Sequence, residues 1–265
     1  MTFSKSSIGK LCLLSLTFTT ALAAPATDLI SELETREEVR DLTRRAGESE
    51  SNPVDATFDI SGWENIAEMN CYVMLCLKGG KRTYQRVEVA HGGDSHRTDS
   101  GATLSPFHTD KLDTCRTSRF NDYTISPEEF PWASTQQGGT GAFLMPATEE
   151  EQNHQKTGIS AGYRRKGGPE YGQWFKITFT GAPLGKYCSA LMNHDPPDTS
   201  VCGNNDQTNI WGAVFILANF VYQVVKDQGT PFYFHHAAGS RKGTKRSVES
   251  EEYDGEELEG EKFHF

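Results

Sequence analysis

The chain has 265 residues, with 36 acidic and 26 basic side chains and a formal charge of −10. Proteins that hold a polyanion by releasing its counterions are usually basic, so this balance argues against passive nucleic-acid binding. It argues far less against an enzyme whose metal ion brings positive charge to one spot.

Lys5 and Lys10 precede an apolar run from Leu11 to Leu22, and Ala21-Leu22-Ala23 fits an A-x-A cleavage pattern. The run is too short for the roughly 18–20 residues that cross a bilayer, so residues 1–23 read as a signal peptide and not an anchor. Residues 24–45 are charged, lack aromatics and end in Arg44-Arg45, a dibasic pair of the kind secretory processing proteases cut; they read as a propeptide. A polar linker, Gly47 to Asn52, follows. At the far end, residues 240–265 combine a basic cluster (Arg241 to Arg246) with eight acids against one lysine, a density expected to leave the tail disordered. Residues 46–239 then form the domain, with 22 acids against 15 bases and a formal −7.

Within it, Gly62 to Leu77 reads as a helix, with Trp63, Ile66, Ala67 and Tyr72 near helical spacing and Gly79-Gly80 as its stop. Arg82 to Pro127 is polar and shows little periodicity. Gly141 to Met145 reads as a strand, and Gln173 to Phe179 as another, its alternation suggesting a sheet edge with one wet face. Cys188 to Asn209 is expected to be a loop. Ile210 to Val225 is apolar and read as a buried helix, with two strands as the alternative because it is rich in β-branched and aromatic residues. Phe232 to His236 reads as a strand, and the class is α+β. Once Cys12 leaves with the signal, five cysteines remain, an odd number in an oxidising compartment. Cys188–Cys202 is the bridge expected around the loop. Cys71 is expected to pair with Cys76 or Cys115. The second is favoured, with Cys76 free, because bridged Cα atoms must lie within about 7 Å and a helical C-x4-C pair is awkward to join.

The chemistry centres on Ser126 to Gly139, where Glu128 and Glu129 precede an aromatic-Pro-aromatic brace and a Gly pair. On an extended chain these adjacent carboxylates point to opposite sides, so one can face a substrate while the other fixes a metal or a loop. Two glutamates after a Pro are also common at an ordinary helix start. Arg164-Arg165-Lys166, ahead of Gly167-Gly168, is suited to phosphate contact or to a plain solvated turn. No two histidines stand at zinc-helix spacing, and His235-His236 after an apolar strand reads as structural or solvated.

The stretch E-E-F-P-W-A-S-T-Q-Q-G-G resembles the D-E-Y-P-F-A-S-T-x-x-G-G signature of the deoxyribonuclease NucA/NucB family, in its eukaryotic secreted branch. A second family element, roughly E-x-N-x-Q-G, is matched by Glu151, Asn153 and Gln155, and His96-Arg97 is similar to a further feature. The likeness runs roughly from Ala67 to Cys188. It implies a small mixed sheet with helices around a ββα-metal (His-Me finger)-like core. It also implies one divalent ion, Mg²⁺ or Mn²⁺, and DNA as substrate. By position, Glu128 becomes the general base with Glu129 supporting it, Asn153 and Glu151 become metal ligands, and Gln155, Arg97, Arg164 and Arg165 contact substrate. There are departures: Glu128 stands where Asp is usual and Pro127 where a Cys is frequent, which would orphan Cys115. Phe107-His108 stands near an expected N-R step, Lys156 replaces a Gly, and Gly162-Tyr163 stands for F-Y. The resemblance therefore implies a secreted, extracellular, metal-dependent endodeoxyribonuclease. The alternative is a non-catalytic secreted effector or binding protein on a degenerate nuclease scaffold. Oligomeric state is left open.

Overall fold

The computed structural model describes residues 45–110, 117–203, 205–227, 230–235 and 262–264. The expected signal peptide, the propeptide through Arg44, Cys115, His236 and most of the C-terminal segment lie outside these residues.

The chain enters through β1 (Val54–Asp59), whose Ala56 and Phe58 alternate inward. Helix α1 (Glu64–Tyr72) follows and widens into a π-turn over Val73–Leu77. This is the expected helix, but it is buried nearly all round, Glu68 and Asn70 included, so it is a core helix and not a surface one. After β2 (Thr83–Gln85) come a short helix α2 (His96–Asp99) and a 3₁₀ turn, Ala102–Leu104. Strands β3 (Ser126–Phe130) and β4 (Phe143–Ala147) pair antiparallel, and helix α3 (Glu149–Arg164) starts two residues later. Thr148 caps α3 by accepting the Glu151 N–H, and three acids fill its first turn.

β5 (Trp174–Thr180) buries Phe175, Ile177 and Phe179. It is not the expected edge: β1 pairs parallel on one side and β2 antiparallel on the other. The half-wet appearance of its sequence comes from one face being packed while the other is only partly covered. Helix α4 (Lys186–Met192) and a 3₁₀ turn, Thr199–Val201, fall within or overlap the segment expected to be loop.

The expected helix over Ile210 to Val225 does not form. Instead β6 (Thr208–Ile210) and β7 (Ala213–Phe215) make a hairpin, a 3₁₀ turn follows over Leu217–Phe220, and β8 (Tyr222–Asp227) begins beyond it. Trp211 and Gly212 both have positive φ. That is the geometry a two-residue hairpin needs and a helix cannot use. β9 (Thr230–His235) pairs with β8, and β10 (Lys262–His264) pairs with β9 inside the tail expected to lack structure. The larger sheet has the order β10-β9-β8-β4-β3. The result is α+β with small mixed sheets.

Both disulfides differ from the expected pairs. Cys71 joins Cys188 with Cα atoms 4.9 Å apart, and Cys76 joins Cys202 at 5.3 Å. The reason is packing. α4 lies against α1, so its third residue, Cys188, meets Cys71, and the chain then returns past the π-turn to bring Cys202 to Cys76. Neither Cys71–Cys115 nor Cys188–Cys202 exists, and Cys76 is not free.

Candidate active site

β3, β4 and α3 form a hairpin followed directly by a helix that packs on β3, and this ββα order positions the carboxylates. Glu128 lies opposite Met145 and Glu129 opposite Leu144, so pleating sends their side chains to opposite faces. Both are buried, at 3% and 6% exposure. The aromatic brace after them is real: Phe130 and Trp132 pack edge-on to each other, and Trp132 packs on Phe58. The Gly pair is required. A Cβ on Gly138 would sit 2.4 Å from the Trp132 carbonyl oxygen, and Gly139 has φ +85°.

Glu128 faces α3. Gln155 donates to one carboxylate oxygen at 2.7 Å and Gln152 to the other at 2.6 Å. These glutamines stand three apart and share one helix face. Burial pushes the Glu128 carboxyl up to about 8, against the pull of the Gln155, Asn70 and Gln152 amides, and the nearby Glu129 charge adds to the rise. Asn70, from α1, lies near enough to favour the ionised form, yet both of its amide atoms are buried without a completed hydrogen bond.

Glu129 faces α2 and the Gly loop. The Gly139 N–H donates to Oε1 at 3.2 Å, while the buried Oε2 has no hydrogen-bond partner. Burial raises this carboxyl also, opposed by Gly139, Ser100, Arg97 and His96. His96 Nδ1 lies 2.9 Å from the Ala133 carbonyl. A carbonyl only accepts, so that nitrogen carries the hydrogen and Nε2 is the basic one in the neutral ring. The exposed Arg97 is thus brought beside Glu129 and not beside Glu128.

The remaining expected residues separate. Glu151 is buried on the inner face of α3, where its carboxylate accepts from the Asn65 amide and, at 3.0 Å, from the Ile66 N–H. It caps the first turn of α1 across the core, and Asn65 in turn accepts the Trp211 N–H. Asn153, two positions on, is exposed on the far side of α3, its carbonyl taken by Thr157. Residues two apart on a helix do not face each other, so Glu151 and Asn153 are not brought together around one ion. Arg164 and Arg165 are exposed at the end of α3, two turns beyond Gln155. Gly162 differs from the family's aromatic for a steric reason: a Cβ there would lie 2.4 Å from the Phe58 ring.

Among the described residues no three His, Cys, Asp or Glu side chains cluster as a metal cage. The set around Glu128 offers a different donor chemistry, one carboxylate with the carboxamides of Asn70, Gln152 and Gln155. These hard oxygens suit Mg²⁺ or Mn²⁺, which often take one or two carboxylates and complete their shell with water and substrate. A cation there would relieve the penalised charge of Glu128 and meet the Asn70 oxygen, but Gln152 and Gln155 present N–H groups to Glu128, so their oxygens would serve only after the two amides turn over. Sequence reasoning missed Gln152 and Asn70; the first was accessible as the helical neighbour of Gln155, whereas nothing in the sequence marked the second.

This is an α+β domain with a ββα unit holding a buried carboxylate against helix amides. The sequence model of the family Deoxyribonuclease NucA/NucB matches residues 70–178, from Asn70 through β5. That part of the chain, less than half of it, is similar to the NucA/NucB deoxyribonucleases. No curated protein matches the chain at a significant level.

Proposed function

We propose that the protein is a secreted, metal-dependent endodeoxyribonuclease that hydrolyses phosphodiester bonds of extracellular DNA with Glu128 as general base. The observation that carries this reading is Glu128 on β3 held by Gln152 and Gln155 of α3 inside the family-matched segment. Burial makes the ionised Glu128 a stronger base than a solvated carboxylate, suited to taking a proton from water near neutral pH. The two glutamine amides fix both carboxylate oxygens, so the lone pairs have a set direction. Gln152 is the partly exposed member of the pair, and rotation of its side chain is what uncovers Glu128 to a water. Glu128 and Asn70, with Gln152 and Gln155 once their amides turn over, would hold one Mg²⁺ or Mn²⁺, which when bound would neutralise charge on the phosphate and the leaving oxygen. Glu151 supports the site by fixing α1, and with it Asn70. Two disulfides support an oxidising, extracellular destination, and no helix among the described residues is long and apolar enough to cross a membrane.

The second reading, a scaffold without catalysis, is favoured by one fact: Glu128 is almost inaccessible and both its oxygens are already bonded. Plasmid digestion with Mn²⁺, Mg²⁺ or EDTA separates the two. The enzyme reading expects nicking with a divalent ion, none in EDTA, and a loss of ~10²–10⁴ in rate for Glu128→Gln. A wild type inert with every ion, or a Glu128→Gln variant as active as wild type, overturns it.

A further inference from the structure

Arg86 leaves β2 between two tyrosine rings, its guanidinium carbon 4.4 Å from the centre of Tyr163 and 3.9 Å from that of Tyr171. One N–H donates to the Pro169 carbonyl at 2.9 Å. No acid pairs with Arg86 among the described residues, where the ion pairs involve other cations. Of five N–H groups in a rigid fork, most are therefore left to bind something else. The sandwich is fixed on its inner side. Tyr163 is buried, bonds Ser134 through its hydroxyl, and packs on Phe58 and Phe175. Its outer side is open, with Tyr171 48% exposed.

Arg164, Arg165 and Lys166 follow Tyr163 directly and are exposed. Arg164 donates to the Ser160 carbonyl and Arg165 to the Thr57 carbonyl, so Arg86 is the cation that the structure places on Tyr171. A large exposed ring stacked on a preorganised, unpaired guanidinium is the pairing that holds an unstacked nucleobase and its phosphate. Tyr163 lies eight residues beyond Gln155 on α3, roughly 12 Å along the axis.

We propose that Tyr171 and Arg86 form a subsite for single-stranded DNA, in which a base stacks on the outer face of Tyr171 and Arg86 receives the adjoining phosphate. This rests on the deoxyribonuclease reading and names the form of DNA that the site prefers. A paired base cannot present its face to Tyr171, so duplex gains only the charge contacts.

The test is fluorescence anisotropy of the full chain in EDTA with a labelled oligothymidylate and with its duplex, so that no cleavage is needed. Tyr171→Ala is expected to weaken single-strand binding by about 5-fold or more, Tyr171→Phe to keep it, and duplex binding to change little. Arg86→Lys is expected to lose affinity although its charge is kept, because the planar fork and stack are gone. An unchanged melting temperature for Tyr171→Ala excludes a folding defect. A wild type that does not bind the single strand, a Tyr171→Ala variant that binds like wild type, or equal losses on both DNA forms overturns the subsite. Specific single-strand binding lost in Tyr171→Ala, with no plasmid cleavage under any ion, keeps the subsite and removes the nuclease. Cleavage with normal binding by Tyr171→Ala does the reverse.

Discussion

Replacing Glu128 with Gln isolates what its burial costs. In the fold this carboxyl is raised to about 8 from an ordinary 4.5. Between these values the folded chain keeps a proton that the unfolded chain releases, so stability falls as pH rises. The contribution is fully present below about pH 4.5 and lost by about pH 8. Each pH unit in that window is worth ~1.4 kcal/mol, and the whole window on the order of 5 kcal/mol. A Gln cannot ionise, yet it can still meet Gln152 and Gln155, whose amides can turn over. Urea unfolding in EDTA at pH 5, 6.5, 8 and 9 should therefore show Glu128→Gln gaining on wild type steadily up to pH 8 and no further. The other raised carboxyls, Glu68, Glu129 and Glu151, are common to both proteins and largely cancel. At pH 8, Mn²⁺ should restore wild-type stability by ~2–3 kcal/mol at one hundred times its dissociation constant, and leave the variant unchanged. Parallel pH curves for the two proteins refute the reasoning about burial. Equal Mn²⁺ effects refute the assignment of the ion to Glu128.

Gln155→Leu should remove a charge-assisted bond to Glu128 and cost ~1.5–3 kcal/mol above pH 8, with a smaller cost at pH 5, read by the same unfolding series. Glu151→Ala should cost a similar ~1.5–3 kcal/mol by uncapping α1, while calorimetry of Mn²⁺ binding to the folded variant stays within about two-fold of wild type; a lost site would make Glu151 a ligand after all. Peptide mapping should recover Cys71–Cys188 and Cys76–Cys202, and a Cys76→Ser, Cys202→Ser double variant should lose ~3 kcal/mol because, with Cys71–Cys188 intact, its bridge closes a loop of only about twenty residues. Gly162→Ala should destabilise by ~1–3 kcal/mol as its Cβ meets Phe58, with normal specific activity in the folded fraction; full stability would mean that Phe58 moves freely.

What the sequence disclosed was whatever local pattern could carry. α1 announced itself by spacing and a Gly stop, and β5 by alternation. α3 has a start signal in Thr148-x-x-Glu151 with three acids in its first turn, but its polar sequence, with Gly158 and Gly162 inside it, carries no apolar stripe to mark a helix. The hairpin at Trp211-Gly212 and the two disulfides depended on which elements meet across the core. Loop distances along the chain say nothing about that. Hence Cys71 found a partner 117 positions away while a nearby one was expected.

The candidate site divides in the same way. Alternation along β3 correctly sent Glu128 and Glu129 to different faces, because pleat geometry is local. The partners on those faces are tertiary: α1 supplies Asn70, α3 supplies Gln152 and Gln155, and α2 supplies His96 and Arg97. Motif order alone grouped Glu151 with Asn153, yet the helix points one inward to cap α1 and the other to solvent. Acidity misled for a related reason. A formal −7 over residues 46–239 averages over a surface on which Arg86 stands stacked between two tyrosines without an acid partner among the described residues. A polyanion responds to the field where it binds, within about a Debye length, ~8–10 Å at moderate salt. The net charge of the domain is therefore a poor guide to what it binds, and the local setting of a cation such as Arg86 a better one.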